Sequence, residues 1–198
     1  MFELEPLIRT IGYIGVWIVV FSESGLLVGF FLPGDSFLFT AGVLASQDFL
    51  NIWILIPLIF SGAILGDNVG YAFGYRIGPK LFKREDSVFF HKKHLMRAEL
   101  LYEKYGPKII VLARFMPVVR TFAPIVAGIG KMKYKTFLIY NLVGGILWGI
   151  GMPLFGYFLG STVPAVDRYI IPIIIGIIFL SILPGVVHVG KAWLRSGS

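Results

Sequence analysis

The sequence predicts an all-α polytopic membrane protein organised as an inverted repeat. Each half is a re-entrant, Pro-broken segment followed by a transmembrane helix, and a further transmembrane helix lies near the C-terminal end. Three observations carry this. Hydrophobic residues make up 57% of the 198-residue chain and charged residues 15%, against about 25% charged in soluble domains, and a soluble fold of this size has too little interior to hide that much apolar surface. Several apolar runs approach the roughly 20 residues that cross a bilayer core. Finally, a Gly-rich pattern recurs late in the chain, and each copy follows a proline-interrupted stretch.

The first run, Ile11 to Phe31, is interrupted only by Ser22, Glu23 and Ser24. Leu32-Pro33-Gly34-Asp35 follows, then an apolar stretch from Ser36 to Ala45 that is too short to span and reads as re-entrant. For residues 11–48 two readings stay open: one crossing plus a half-hairpin, or a hairpin opening to one side. Ile52 to Tyr75 is a second long segment, carrying Asp67 and Asn68. Residues 76–108 then hold most of the charge with Phe and Leu interleaved, as in an amphipathic segment lying on a membrane face. Ile109 to Ile129 is apolar, broken by Pro117 and Pro124 and charged by Arg114 and Arg120. Phe137 to Leu159 and Tyr169 to Val189 are two more spans.

Fourteen of the eighteen Lys and Arg lie between Arg76 and Lys135. A basic excess can mark nucleic-acid binding. Set between membrane spans, it instead marks the cytoplasmic side. Residues 76–108 and 131–135, Lys191 and Arg195 are therefore placed in the cytoplasm, and the 161–168 loop outside. The first residues carry Glu3 and Glu5 where a cleavable leader would be positive. Without cysteine, disulfide and thiolate chemistry are excluded.

Gly62–Gly78 aligns with Gly144–Gly160 at a constant offset of 82, with seven of seventeen positions identical, among them Phe73-Gly74-Tyr75 and Phe155-Gly156-Tyr157. Upstream, Phe31-Leu32-Pro33 leads to Ala41-Gly42 as Phe115-Met116-Pro117 leads to Ala127-Gly128. The halves are therefore 11–75 and 109–160, within a single membrane domain spanning 1–198 whose last helix is 169–190. The charge rule runs the span at 52–75 inward and the span at 137–159 outward, which inverts one half relative to the other. Inverted repeats with broken helices mark secondary transporters, whose sites lie where the breaks meet near the midplane.

Five ionisable residues sit in apolar surroundings: Glu23, Asp35, Asp67, Arg114 and Arg120. A charge at the bilayer centre costs about 2.5–3.5 kcal/mol on insertion scales, so all five must be paired, hydrated or neutralised. The permanently cationic Arg114 and Arg120 suit a phosphate, which a guanidinium grips through two parallel hydrogen bonds. The break at Pro117 allows both to face one site. Glu23 and Asp35 are candidate proton carriers. Asp67 is a supporting residue or a structural pair inside the bundle, and Asn141 a helix–helix hydrogen-bonding residue. His91 and His94 sit in the basic segment without an acidic third ligand, so no metal site and no cofactor are expected; His188 lies near the end of the last span.

The segments Glu23…Phe31-Leu32-Pro33-Gly34-Asp35-Ser36 with Ala41-Gly42, Gly66-Asp67-Asn68-Val69-Gly70-Tyr71 with Gly74, and Arg114-Phe115-Met116-Pro117-Val118-Val119-Arg120-Thr121-Phe122-Ala123-Pro124 with Ala127-Gly128 together resemble the DedA family, also called the SNARE-associated or VTT-domain family. Phe137, Asn141, Gly144 and Trp148 fit the segment that follows. The resemblance covers roughly residues 10–160. It implies two facing re-entrant segments, residence in a bacterial-type inner (plasma) membrane, and lipid transport coupled to protons. Undecaprenyl phosphate is the foremost substrate it implies, with phosphatidylethanolamine as another. It also implies that Glu23 and Asp35 are the required acids and Arg114 and Arg120 the required arginines. A homo-oligomer is compatible with it.

Three rivals compete. An intramembrane enzyme would need a nucleophile beside a base, and no such pair accompanies the arginines, so the chain is read as a non-enzyme. A proton-coupled exporter of cations or small molecules would use Glu23 and Asp35 but has no need of two arginines. A non-transporting scaffold would exploit Gly66, Gly70 and Gly74 for helix association but has no reason to keep four midplane charges.

Overall fold

The computed structural model describes residues 4–25, 34–81 and 106–163, with residues 172 and 176 beyond them. The basic segment at 82–105, its histidines His91 and His94, most of the last predicted span with His188, and Phe31-Leu32-Pro33 lie outside the described residues.

Every regular element among the described residues is helical: α1 (Leu4–Gly25), α2 (Gly34–Ser46), α3 (Ile52–Leu81), a 3₁₀ turn (Gly106–Lys108), α4 (Ile109–Ala113), α5 (Pro117–Ile129), α6 (Tyr134–Gly145), a π turn (Ile146–Ile150) and α7 (Gly151–Thr162). Among the described residues, three helical stretches are long and apolar enough to cross a membrane: Pro6–Gly25, Ile52–Ile77, and Tyr134–Thr162, which runs from α6 through the π turn into α7.

α1 turns a stripe of Ile8, Val16 and Val20 inward and leaves Ile14 and Ile18 outside, the division expected of a helix with one packed face and one lipid face. It kinks at Gly12, whose φ of 57° suits a residue without Cβ. α2 has 13 residues, about 20 Å at 1.5 Å per residue, and falls short of the ~30 Å core. It is buried along nearly its whole length, so protein rather than lipid surrounds it. α3 has 30 residues and continues past the expected end at Tyr75. Charge ends an apolar run, but it does not end a helix, because Arg has good helix propensity.

The interruption at 109–129 falls where Pro117 predicts it. Met116 is extended at φ −121°, ψ 103°, as the residue before a proline must be, and Pro117 starts α5 at the position where its missing N–H costs nothing. Pro124 does not break the segment, contrary to expectation, and sits inside α5. It withholds one hydrogen bond from the Arg120 carbonyl, but close packing against α3 holds the helix in shape.

Glycines set that packing. Tyr13 OH accepts from the Asn51 amide, Trp17 Nε1 donates to Ser61 Oγ at 3.1 Å, and a Cβ on Gly25 would meet Gly66 O at 2.5 Å. α1 and α3 therefore run in the same sense. On the other face of α3, a Cβ on Gly74 would overlap Ile125 O and one on Gly128 would overlap Tyr71 O, both in the α3–α5 contact. Between α2 and α7, a Cβ on Gly156 would overlap Phe39 O and one on Gly42 would overlap Pro153 O. The same contact is thus made twice. Gly74 and Gly156 are separated by 82, as are Tyr71 and Pro153, and Gly42 and Gly128 by 86, as are Phe39 and Ile125. The short helix α2 is thus seated on α7, and the short helix α5 on α3.

Candidate functional site

The five charges singled out in the sequence are all paired, in two groups. The first forms where α2 and α5 begin. Arg120, in the first turn of α5, makes ion pairs with Glu23 from the last turn of α1 and with Asp35 from the first turn of α2, the latter at 2.8 Å. Glu23 is fully buried and Arg120 nearly so. The Asp35 side chain keeps 12% of its exposure, the most accessible carboxylate of the group. Glu23 reaches the start of α2 because Gly34 has no side chain: a Cβ there would overlap the carboxylate. The free N–H groups at a helix start favour a negative charge at that place. Trp148, on the π turn, donates its indole N–H to Asp35 Oδ1 at 2.6 Å and lies with its ring 4.7 Å from the Arg120 guanidinium carbon.

The second group lies across α3. Arg114, in the break between α4 and α5, makes an ion pair with Asp67 of α3 and donates to Asn141 Oδ1 of α6. Asn141 in turn donates to the Ile64 carbonyl at 3.4 Å. Gly144 leaves room for the arginine stem, since a Cβ there would come within 2.7 Å of Arg114 Cδ. The groups are near neighbours, because Gly66, adjacent to Asp67, packs on Ser24 and Gly25, one and two residues beyond Glu23.

Pairing answers the cost of burying charge without exhausting the donors. The Nε of both arginines and Ser36 Oγ are buried with no hydrogen-bond partner among the described residues. An oxyanion arriving here would find N–H and O–H groups to bind. No cluster of His, Asp or Glu with metal-holding geometry occurs among the described residues.

The expectation that the break turns both arginines onto one site is met only in part. Arg120 takes both predicted proton carriers, while Arg114 takes Asp67 and Asn141, the two residues given only a supporting place. Trp148 was missed as a member of the site. The available signal was chemical: a buried indole needs an acceptor for its N–H, and Asp35 on the short helix α2 supplies it.

Fold and site together define a polytopic α-helical membrane protein with a paired charge network inside its bundle. The chain belongs to the VTT-domain, or DedA, family: the model of the VTT domain matches residues 32–158. It is 46% identical to the protein DedA of Escherichia coli (strain K12) over 183 residues, covering 88% of this chain and 83% of that one. An uncharacterised membrane protein of Mycobacterium leprae is 46% identical over 176 residues, 89% of this chain and 77% of its own. The inner membrane protein YghB of Salmonella typhimurium is 32% identical over 165 residues, 83% of this chain and 75% of its own. No solved structure matches the chain.

Proposed function

We propose that this protein is a proton-coupled transporter that moves a lipid headgroup across the membrane by its anionic phosphate, with undecaprenyl phosphate as the first substrate to test and phosphatidylethanolamine as the second. The observation that carries the reading is Arg120, a buried guanidinium held by Glu23 and Asp35 at the point where the two short helices begin. A lipid phosphate takes the place of a carboxylate on Arg120, with Arg114 close by, while the tail stays in the bilayer. Protonation of Glu23 or Asp35 releases that carboxylate and makes the exchange possible. No covalent chemistry is required, so the protein acts as a carrier and not as an enzyme.

The exchanged packing of the short helices supports an inverted repeat in which α2 and α5 are re-entrant. In such folds one half rocks against the other about a fixed midplane site. The proposed setting is a bacterial inner (plasma) membrane with residues 76–108 and the C-terminal end on the cytoplasmic face. The excess of carboxylate around Arg120 favours one second reading, a proton-coupled cation exporter. Reversing the charge with Arg120→Glu separates the two, since a cation exporter tolerates it and a phosphate carrier does not.

The test is headgroup translocation in liposomes. Wild type and Arg120→Ala are reconstituted with undecaprenyl phosphate, and its exposure in the outer leaflet is followed with and without a pH gradient. Gradient-sensitive movement that disappears in the variant is the expected result. Equal, negligible movement in both means the lipid is wrong, and the same assay with phosphatidylethanolamine follows.

A further inference from the structure

We propose that Trp148 is a positioning residue that holds Arg120 face-on, so that the arginine stays oriented for a two-pronged oxyanion while its carboxylate partners leave. This rests on the reading of Arg120 as the phosphate site.

Trp148 touches both members of the Asp35–Arg120 pair through different parts of one ring. Its N–H donates to Asp35 Oδ1 at 2.6 Å, the same oxygen that accepts Arg120 NH1 at 2.8 Å. Its π face lies 4.7 Å from the guanidinium carbon. A guanidinium held over the face of a ring by its quadrupole leaves its N–H groups available to partners on the other sides. Those groups meet Glu23 and Asp35 now, and a phosphate that replaces them must come in along the same edge, where bidentate binding is available. The cation–ring contact involves neither carboxylate, so it survives their protonation or displacement.

Two features fix the indole in this place. Trp148 is 1% exposed and belongs to the core cluster that contains Phe37, Leu38 and Ile59. It also sits on the π turn Ile146–Ile150, a rare departure from α geometry that is frequent at functional sites. The wider turn reorients the residues it carries relative to those of α6. Gly145 lets α3 approach closely at this point, since a Cβ there would come within 2.6 Å of Ile64 Cδ1. The sequence spends irregular backbone and a glycine on the segment that aims this ring.

The experiment compares wild type, Trp148→Phe and Trp148→Leu in liposomes, reading the half-saturating concentration of undecaprenyl phosphate and the maximal rate, each per folded molecule. Trp148→Phe keeps a ring face and loses the N–H donor, so half-saturation stays near the wild-type value and the maximal rate falls a few-fold. Trp148→Leu loses both contacts, and half-saturation rises about tenfold, the scale of a desolvated cation–π contact. A purely structural role lowers the folded yield of both variants and leaves the half-saturation of the folded fraction unchanged, and that result overturns the inference. An equal rise in half-saturation for Phe and Leu also overturns it, because the ring face would then contribute nothing. Wild type that moves no undecaprenyl phosphate defeats the transport reading for this lipid; wild type that moves it while Trp148→Leu matches it defeats this inference alone.

Discussion

Arg120 and Arg114 are both buried guanidiniums held by carboxylates close to one another in the same bundle, but their surroundings differ in charge and in connectivity. Arg120 faces two carboxylates, Glu23 and Asp35, and an indole. Arg114 faces one carboxylate, Asp67, and the neutral amide of Asn141. With all groups ionised the Arg120 set is negative by one charge and the Arg114 set is neutral. The first gains a reason to take up a proton, while the second is already balanced in charge. The Arg120 set also ties α1, α2, α5 and the π turn together, whereas the Arg114 set ties α3 and α6 to the break before α5. On the proposed reading, one group changes state and the other holds the frame.

The largest expected effect separates the two on stability. Arg114→Ala leaves Asp67 buried without its cation and costs about 3–5 kcal/mol, as broken buried pairs do. Thermal unfolding of the purified protein in detergent would report this as a clear drop in Tm. Replacing both partners with Arg114→Leu and Asp67→Leu recovers much of it, since an apolar pair is not penalised by burial. A single variant as stable as wild type would remove the structural reading of this group.

Next in size is Arg120→Ala. Translocation is expected to fall on the order of 100-fold, the scale of one charge-assisted hydrogen-bonding partner. Its loss of Tm is expected to be smaller than that of Arg114→Ala, because Asp35 keeps the Trp148 N–H and part of its exposure, so that a single proton on Glu23 leaves no fully buried charge. The liposome assay and the unfolding assay together check the contrast, which collapses if the two variants lose stability and transport in the same ratio.

A smaller effect tests the repeated packing. Gly156→Val and Gly74→Val each force a side chain into a backbone carbonyl, of Phe39 and Ile125 respectively, and overpacking of this kind costs about 1–3 kcal/mol. The two losses should be similar if the two contacts are equivalent. A tolerated substitution at one position and a disabling one at the other would show that only one crossing matters.

Much of this was legible in the sequence, and what was not has a physical reason. The spans at 52–75 and 137–159 could be read because lipid demands about 20 apolar residues in a row. Glu23, Asp35, Arg114 and Arg120 could be read because charges are costly there, and Pro117 because the residue before a proline must leave the helical region. Partner choice was hidden: Asp67 finds Arg114 only because Gly144 lets the arginine lie along α6, and a helix crossing leaves no local mark on the sequence. The π turn around Trp148 was hidden too, since Ile146-Leu147-Trp148-Gly149-Ile150 reads as ordinary helix. Pro124 misled, because tertiary packing against α3 outweighs one missing hydrogen bond.

The claim that proton linkage belongs to the Arg120 group is tested most directly by measuring lipid-phosphate translocation against pH for wild type, Asp35→Asn and Asp67→Asn. In wild type, lowering the pH neutralises the excess carboxylate charge and speeds uptake of the anion. Asp35→Asn removes that charge permanently, so its rate should become nearly independent of pH. Asp67→Asn should keep the wild-type pH dependence at a lower yield of folded protein. A pH dependence that persists in Asp35→Asn and vanishes in Asp67→Asn would contradict the account and move proton linkage to the Arg114 group.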